Sequence, residues 1–279
     1  MTQPHRYEYD ITPGSAPDRV VNMVGSSKKV LELGSGPGTI TRKLSANDCQ
    51  VIALEIDSSA IEIVSNYCES VYQCDFNNKN SPESFPNIGE FDVLVAADVF
   101  EHLYDPWNCV KELHRFLAAN GSLVVSILHI GHAAIMACLL RSDFEYHSWG
   151  LLDKTHIRFF GLKNIQSLFE DAGFKIIEVE FIVTAPELTE LARHWKKTSK
   201  TTQQALLAGK FSNIYQTVLR AVPIASRGQA LNLELLIIPP TGKVSTTDRL
   251  RNSWFWNYLI SLIPPETRNR VRKMFKGRG

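Results

Sequence analysis

KVLELGSGPGTITRKL, running from Lys29 to Leu44, decides the fold. Val30, Leu31 and Leu33 make a short apolar run of the buried-strand type. Gly34, Gly36 and Gly38 follow at once, and Thr39 to Leu44 reads as the opening of a helix. Glycine lets the chain turn sharply and lets a ligand approach the backbone closely. The N–H groups of a helix's first turn converge on the same place and favour negative charge. Strand, glycine turn and helix in this order predict a backbone cradle for a polar ligand. Three glycines alone predict no more than a strand-to-helix turn.

The surroundings sharpen that expectation. Val51 to Leu54 is a second apolar strand ending in Glu55 and Asp57, about twenty residues past the first glycine, where an acid holds a ribose diol. Tyr72 to Phe76 closes a third strand with Asp75, and Phe91 to Ala97 is a fourth ending at Asp98. A dinucleotide site wants G-x-G-x-x-G. Here the order is G-x-G-x-G, with Glu32 two residues ahead. An acid in that place repels a pyrophosphate and suits an ammonium group.

ELGSGPG, the Glu55 tip, Asp75-Phe76, ADVFEHLYDPW (Ala97 to Trp107) and the Gly121 to Ser126 run stand in the order of the motifs of class I S-adenosylmethionine (SAM) methyltransferases. The chain resembles that family over about residues 6 to 182. The resemblance implies a Rossmann-like α/β fold, a seven-stranded mostly parallel sheet with helices on both faces and the last strand antiparallel beside the sixth. It implies SAM as cofactor, with Glu32, Gly34, Ser35, Gly36 and Gly38 at the methionine end. Glu55 then holds the ribose with Ile56 beside it, and Asp75 the adenine amino group with Phe76 next to the ring. Asp98 falls at the methionine ammonium or the acceptor; capping the following turn is its other reading.

At 279 residues the chain accommodates one large domain, and a net charge of +1 argues against a nucleic-acid binder driven by bulk electrostatics. No run reaches the roughly 20 apolar residues of a membrane span, and the first thirty residues hold no apolar signal core, so a cytoplasmic protein is expected. Cys49, Cys68, Cys74, Cys109 and Cys138 lack CxxC spacing and read as reduced core residues.

In chain order, aromatics at Arg6 to Tyr9 read as a lid over the cradle or as an arm on the sheet edge, with a helix from about Pro17. Strands and helices then alternate: Lys28–Leu33, a helix to Ala46, Gln50–Leu54, a helix over Ser58–Cys68, Val71–Cys74, a polar loop over Asn77–Asn87, Phe91–Ala97, a helix over Pro106–Leu117, and Ser122–Leu128. This alternation signals a parallel sheet covered on both faces, with ligands beyond the carboxyl ends of its strands. A loop dense in His, Trp, Tyr and Phe follows, with a short helix over Ile135–Leu140, then a helix over Leu162–Ala172 capped by Gly173 and a sixth strand over Phe174–Val183. LLDKTHIRFFGLKNIQSLFEDAGF resembles a segment of bacterial methyltransferases associated with sugar and polysaccharide biosynthesis, but His129 and Gly161 stand where that pattern has Asn and Thr or Ser.

Helices are expected over Glu187–Trp195 and Gln203–Leu219, then a seventh strand over Leu231–Ile238. The domain would thus span residues 1–240 with a helical insertion at about 184–228, leaving 241–279 as a tail. WFWNYLISLIPP followed by Arg268, Arg270, Arg272, Lys273, Lys276 and Arg278 has the composition of a membrane-interface segment. Packing on the domain or on the mate in a homodimer is the alternative.

Methyl transfer to a hydroxyl calls for a general base, and histidine is the usual one. His156, between Asp153 and Arg158, is the first candidate, with Asp153 orienting its ring; His102, His132 and His129 are the others. No HxH, HExxH or Cys/His spacing appears, so a metal-independent reaction and no metal site, zinc included, are expected. The expected activity is O-methylation of a small-molecule or glycan acceptor, a sugar hydroxyl by resemblance, with a natural-product or quinone-like phenol left open. A SAM-binding regulator or partner subunit and a NAD-dependent dehydrogenase are the rival readings. The His-rich loop speaks against the first, since a pure sensor needs no substrate pocket, and the glycine spacing against the second.

Overall fold

A computed structural model describes residues 11–78 and 88–240. The N-terminal aromatics and the aromatic and basic tail lie outside the described residues. The described residues fall into two compact units, one drawing on residues up to 130, on 155–182 and on 215–237, the other on 131–154 and on 183–214.

The first unit is built on a seven-stranded sheet in the order β3-β2-β1-β4-β5-β7-β6. β1 (Lys29–Leu33), β2 (Gln50–Glu55), β3 (Ser70–Gln73) and β4 (Phe91–Ala97) pair in parallel, as does β5 (Leu117–Leu128) with β4. β6 (Phe174–Val183) lies at the edge, and β7 (Ile214–Pro223) enters beside it, antiparallel to β5. β1 is buried at Val30, Leu31, Glu32 and Leu33 alike, as expected of a central strand covered on both faces.

Helices α1 (Ala16–Val24), α2 (Thr39–Ala46), α3 (Ser58–Val64) and α4 (Pro106–Glu112) connect the strands. Ser15, Asp57 and Asp105 cap α1, α3 and α4 by accepting backbone N–H bonds. Val20, Val21, Met23 and Val24 of α1 pack with Val30, Val51, Val93 and Val124 of the sheet in one apolar cluster. The core is therefore aliphatic and β-branched, the composition that fits a pleated, buried surface.

In the second unit, α5 (Ala133–Leu139) packs Ala133 and Ala137 against Trp195 of α7 (Ala192–Lys197) and Leu206 of α8 (Lys200–Leu207); α6 (Leu162–Glu170) belongs to the first unit. Gly161 precedes α6 as its cap, and its N–H donates to Asn164 Oδ1 at 3.0 Å, the half of a capping box in which the helix side chain accepts from the cap's backbone.

Two expected elements are corrected. The helix expected to run to Leu219 stops at Leu207, and IYQTVLRAVP is the seventh strand. Its Thr and Val residues are strand formers, and its apolar positions happen also to match helical spacing. Leu231–Ile238 is not a strand: it holds a single 3-10 turn at Leu233–Leu235, with Leu235 77% and Ile237 92% exposed. The helical insertion accordingly ends before residue 214. The fifth strand also begins earlier than expected, because the pairing with β4 jumps from Phe91–Leu117 to Val93–Ser122 and the residues between bulge out.

Candidate active site

The loop after β1 is held open by its own backbone. Gly34, Gly36 and Gly38 all take positive φ, at 62°, 53° and 86°. A Cβ on Gly34 would meet Val99 Cγ2 at 3.0 Å and one on Gly38 would meet Val64 Cγ2 at 2.9 Å, so these two are glycines for packing as well as for turning. A Cβ on Gly36 would meet nothing within 4 Å. Gly36 faces open space, the place a ligand would take. Ser35 lies beside it with a buried Oγ that has no hydrogen-bond partner, an unmet polar group of the kind a ligand satisfies.

Glu55, at the tip of β2, closes the cradle from the other side. Its Oε2 accepts from Gly36 N at 2.7 Å, and its Oε1 accepts from Ile56 N at 2.8 Å and Asp57 N at 2.9 Å. Three N–H donors fix one carboxylate, so its orientation is set before any ligand arrives. Ile56 is 55% exposed next to it, an apolar surface beside a polar anchor. Gln73 Nε2 reaches back to Ile56 O at 3.1 Å and ties the ends of β2 and β3 together.

Glu32 lies under the loop, 2% exposed, with Thr41 Oγ1 donating to its Oε2 at 2.6 Å. Burial, opposed by the Thr41 hydrogen bond and helped by the charge of Glu55, pushes its carboxyl up to about 8. Between pH 4.5 and about 8 the folded state therefore holds a proton that the unfolded chain has lost. Glu32 contributes stability that is fully present below pH 4.5 and lost as pH rises through about 8. Urea midpoints of the native chain and of Glu32→Gln should converge at the low end of that window, with the native chain falling relative to the variant toward its high end. Parallel pH profiles would refute the assignment.

Beyond β4 the acids and histidines cluster. Asp98 sits at φ 54°, unusual for a residue with a side chain, and such strain collects at functional positions. Its Oδ1 accepts from Ser126 Oγ at 2.8 Å and Gln216 Nε2 at 2.5 Å. Burial pushes its carboxyl up; the two hydrogen bonds and His102 oppose the shift.

Glu101 is 2% exposed, and its Oε2 has no hydrogen-bond partner. Burial and then the charge of Asp98 push it well above the ordinary carboxylate range. Its backbone carbonyl accepts from Ile157 N at 2.9 Å and Arg158 N at 3.0 Å, so it anchors the aromatic loop. His102 and His156 then meet edge to face, ring centroids 4.8 Å apart, with His102 Nδ1 3.2 Å from Thr155 O. His156 is 7% exposed. Arg158 Nε donates to Tyr104 O at 3.2 Å, and the guanidinium lies over the Trp107 ring. Asn77 joins this wall to the end of β3 by donating to His102 O at 3.1 Å and accepting from Tyr104 N at 2.7 Å.

The other expected residues are placed as follows. His132 is fully buried at the N-terminus of α5: its Nδ1 accepts from Ala134 N at 3.2 Å, and its Nε2 lies 2.9 Å from Thr184 O. Nδ1 thus caps the helix, while Nε2 faces the Thr184 carbonyl. His129 donates its backbone N–H to Tyr215 O at 2.9 Å and bridges Phe160. Asp153 is buried in the second unit, bridged through the backbone to His147. Asp75 is exposed and accepts from Asn77 N at 2.8 Å, with half-buried Phe76 following it. Thr41, Ser126 and Gln216 were not anticipated. The parallel register Ala97–Ser126 would have revealed Ser126, whereas Gln216 lies on the strand read as a helix.

A profile of the family described as "Methyltransferase domain" matches residues 12–179. The chain belongs to this family. Among the methyltransferases it resembles, ubiquinone biosynthesis O-methyltransferase of Aromatoleum aromaticum is 22% identical over 164 residues, 58% of this chain and 69% of that protein. The protein of the same name from Pseudomonas aeruginosa is 21% identical over 175 residues, 61% of this chain and 73% of its own length. A SAM-dependent methyltransferase from Methanosarcina mazei shares the fold with TM-score 0.51 at 15% identity, over 76% of this chain and 98% of that one. Another, from Thermotoga maritima, does so with TM-score 0.50 at 18% identity, over 74% and 87%. The methyltransferase fold thus supplies the cradle, and SAM is the cofactor that the family and these neighbours imply. The open face at Gly36, the unmet Ser35 hydroxyl and the oriented Glu55 carboxylate fit it.

Proposed function

We propose that this methyltransferase transfers the methyl group of SAM to a hydroxyl of a small-molecule acceptor, with His156 as general base. The observation that carries the reading is the His102–His156 pair, held beyond the carboxyl end of β4 by the bonds of Glu101 to the aromatic loop. Bound SAM supplies an electrophilic methyl group on a sulfonium. Gly36, Ser35 and Glu55 would hold it, with Glu32 supporting the loop from beneath through Thr41 and with Ile56, Asp75 and Phe76 on the adenosine side. A hydroxyl is a weak nucleophile at neutral pH, and His156 would take its proton at a ring nitrogen. Glu101 acts as a positioning residue: its side chain is buried, and its backbone carbonyl fixes residues 157 and 158. Arg158, Trp107 and Tyr104 offer a cationic and aromatic wall for the acceptor.

Relatives named O-methyltransferases support oxygen as the accepting atom. The resemblance of the 151–174 segment to sugar-associated methyltransferases favours a sugar or glycan precursor, and the Arg158–Trp107 wall suits a phenol equally well. Incubation with methyl-labelled SAM and a panel of sugars, phenols and amines decides the class. Label is expected on oxygen of a sugar or phenol, with one S-adenosylhomocysteine formed per product. Label on nitrogen or carbon alone would overturn the proposal.

A further inference from the structure

Asp143, Glu145 and His194 bring three metal-ligating side chains together wholly within the second unit, and His147 approaches the other oxygen of Glu145. None of them enters the methyl-transfer reading. Asp143, Glu145 and His147 occupy alternate positions of DFEYH, the period that sets side chains of an extended chain on one side. The interposed Phe144 and Tyr146 rings pack on each other at 5.1 Å, and Tyr146 is 63% exposed. α7 supplies His194 from 47 residues further along, its side chain 5% exposed.

His194 and Glu145 already meet as a short hydrogen-bonded pair, and Asp143 and His147 approach that pair at longer range. His194 Nε2 lies 2.5 Å from Glu145 Oε2 and 3.6 Å from Asp143 Oδ2. His147 Nε2 lies 3.6 Å from Glu145 Oε1. Ligand atoms of Asp143, Glu145 and His194 all fall within 4.8 Å of one another. A separation of 3.6 Å is too long for a hydrogen bond. Two ligands about 2.1 Å from one tetrahedral zinc ion stand about 3.4 Å apart. His147 Nε2 is buried and has no hydrogen-bond partner, although it points at this carboxylate.

We infer that Asp143, Glu145, His147 and His194 form a binding site for a divalent transition metal of the zinc class. Two imidazoles with two carboxylates are a donor set that zinc takes readily and that magnesium or calcium does not favour. Arg193 is the rival occupant, since its Nε donates to Glu145 Oε2 at 2.7 Å. Its side chain is 61% exposed, so it leaves toward solvent or stays as an outer partner orienting the carboxylate. Glu145 is already held below the ordinary carboxylate range: burial opposes this, but the His194 and Arg193 hydrogen bonds outweigh it. The site is structural, linking the DFEYH segment to α7, and its failure would leave the methyl-transfer reading untouched.

The test is zinc titration of the metal-free, tag-free full chain against a chelating indicator, with cobalt as spectroscopic probe. One equivalent of zinc is expected, with a raised thermal midpoint and a cobalt spectrum of tetrahedral type. Sulfur-to-cobalt charge transfer is not expected, which separates this set from buried Cys138, the neighbouring thiol that Glu145 and Asp143 help push up to about 12 after burial. Glu145→Gln and His147→Gln should each lose the stoichiometric binding while still binding S-adenosylhomocysteine, which shows that they are folded. No stoichiometric zinc, zinc retained in both variants, or a sulfur charge-transfer band would overturn the site in favour of an Arg193–Glu145–His194 ion-pair network.

Discussion

His156→Ala is expected to lower turnover by about 10²–10⁴-fold, the usual contribution of a positioned general base, while leaving the affinity for SAM unchanged. The separation of the two effects follows from placement. His156 is carried by the aromatic loop and packs edge-on against His102, whereas the cradle is made by the loop after β1 and by Glu55. Removing the imidazole leaves the Glu101 carbonyl bonds to residues 157 and 158 in place, because these are backbone contacts. A transition-state role lowers kcat and kcat/KM together without weakening cofactor binding. Parallel loss of cofactor binding and rate would make His156 a structural residue. A drop of less than tenfold would move the base role to His102.

Glu55→Ala is the complementary change and acts on the cofactor. The carboxylate is 6% exposed and already accepts from Gly36, Ile56 and Asp57. Its loss leaves those part-buried donors without their acceptor and removes the anchor for a ribose diol. Stranding buried polar partners costs about 1–3 kcal/mol, so SAM affinity should fall by roughly 5- to 150-fold. The glycine loop would loosen with it, since Gly36 N is tied to the same carboxylate.

The sheet up to β4 was legible because each strand is a short apolar run stopped by glycine or an acid, and each acid falls at a carboxyl end. The seventh strand was not, because the apolar residues of IYQTVLRAVP satisfy both periods and only pairing with β5 chooses between them. The leucines of 231–238 alternate like a strand, but after Leu231 N donates to Ile176 O of β6 at 2.8 Å, Leu233 N turns to the Gln166 side chain at 3.1 Å, and Ile237 is left 92% exposed. In the candidate site, the glycine loop and Glu55 were readable from spacing. The roles of Glu101, Gln216 and His132 were not, since burial and long-range partners decide them. Glu101 looks in sequence like one more acid beside a histidine; its enclosure and its backbone bonds to residues 157 and 158 make it a support for the loop. The cap that His132 gives α5 and its 2.9 Å approach to Thr184 O, 52 residues on, could not be read from spacing.

The central claim is that the Gly34–Gly38 loop and Glu55 form a SAM cradle and not a dinucleotide site. Calorimetric titration of S-adenosylhomocysteine and of NAD into the intact chain and into Glu55→Ala tests it most directly. One S-adenosylhomocysteine per chain, weakened roughly 5- to 150-fold in the variant, with no heat from NAD, is the predicted result. NAD binding in its place, or S-adenosylhomocysteine binding that Glu55→Ala leaves unchanged, would contradict it.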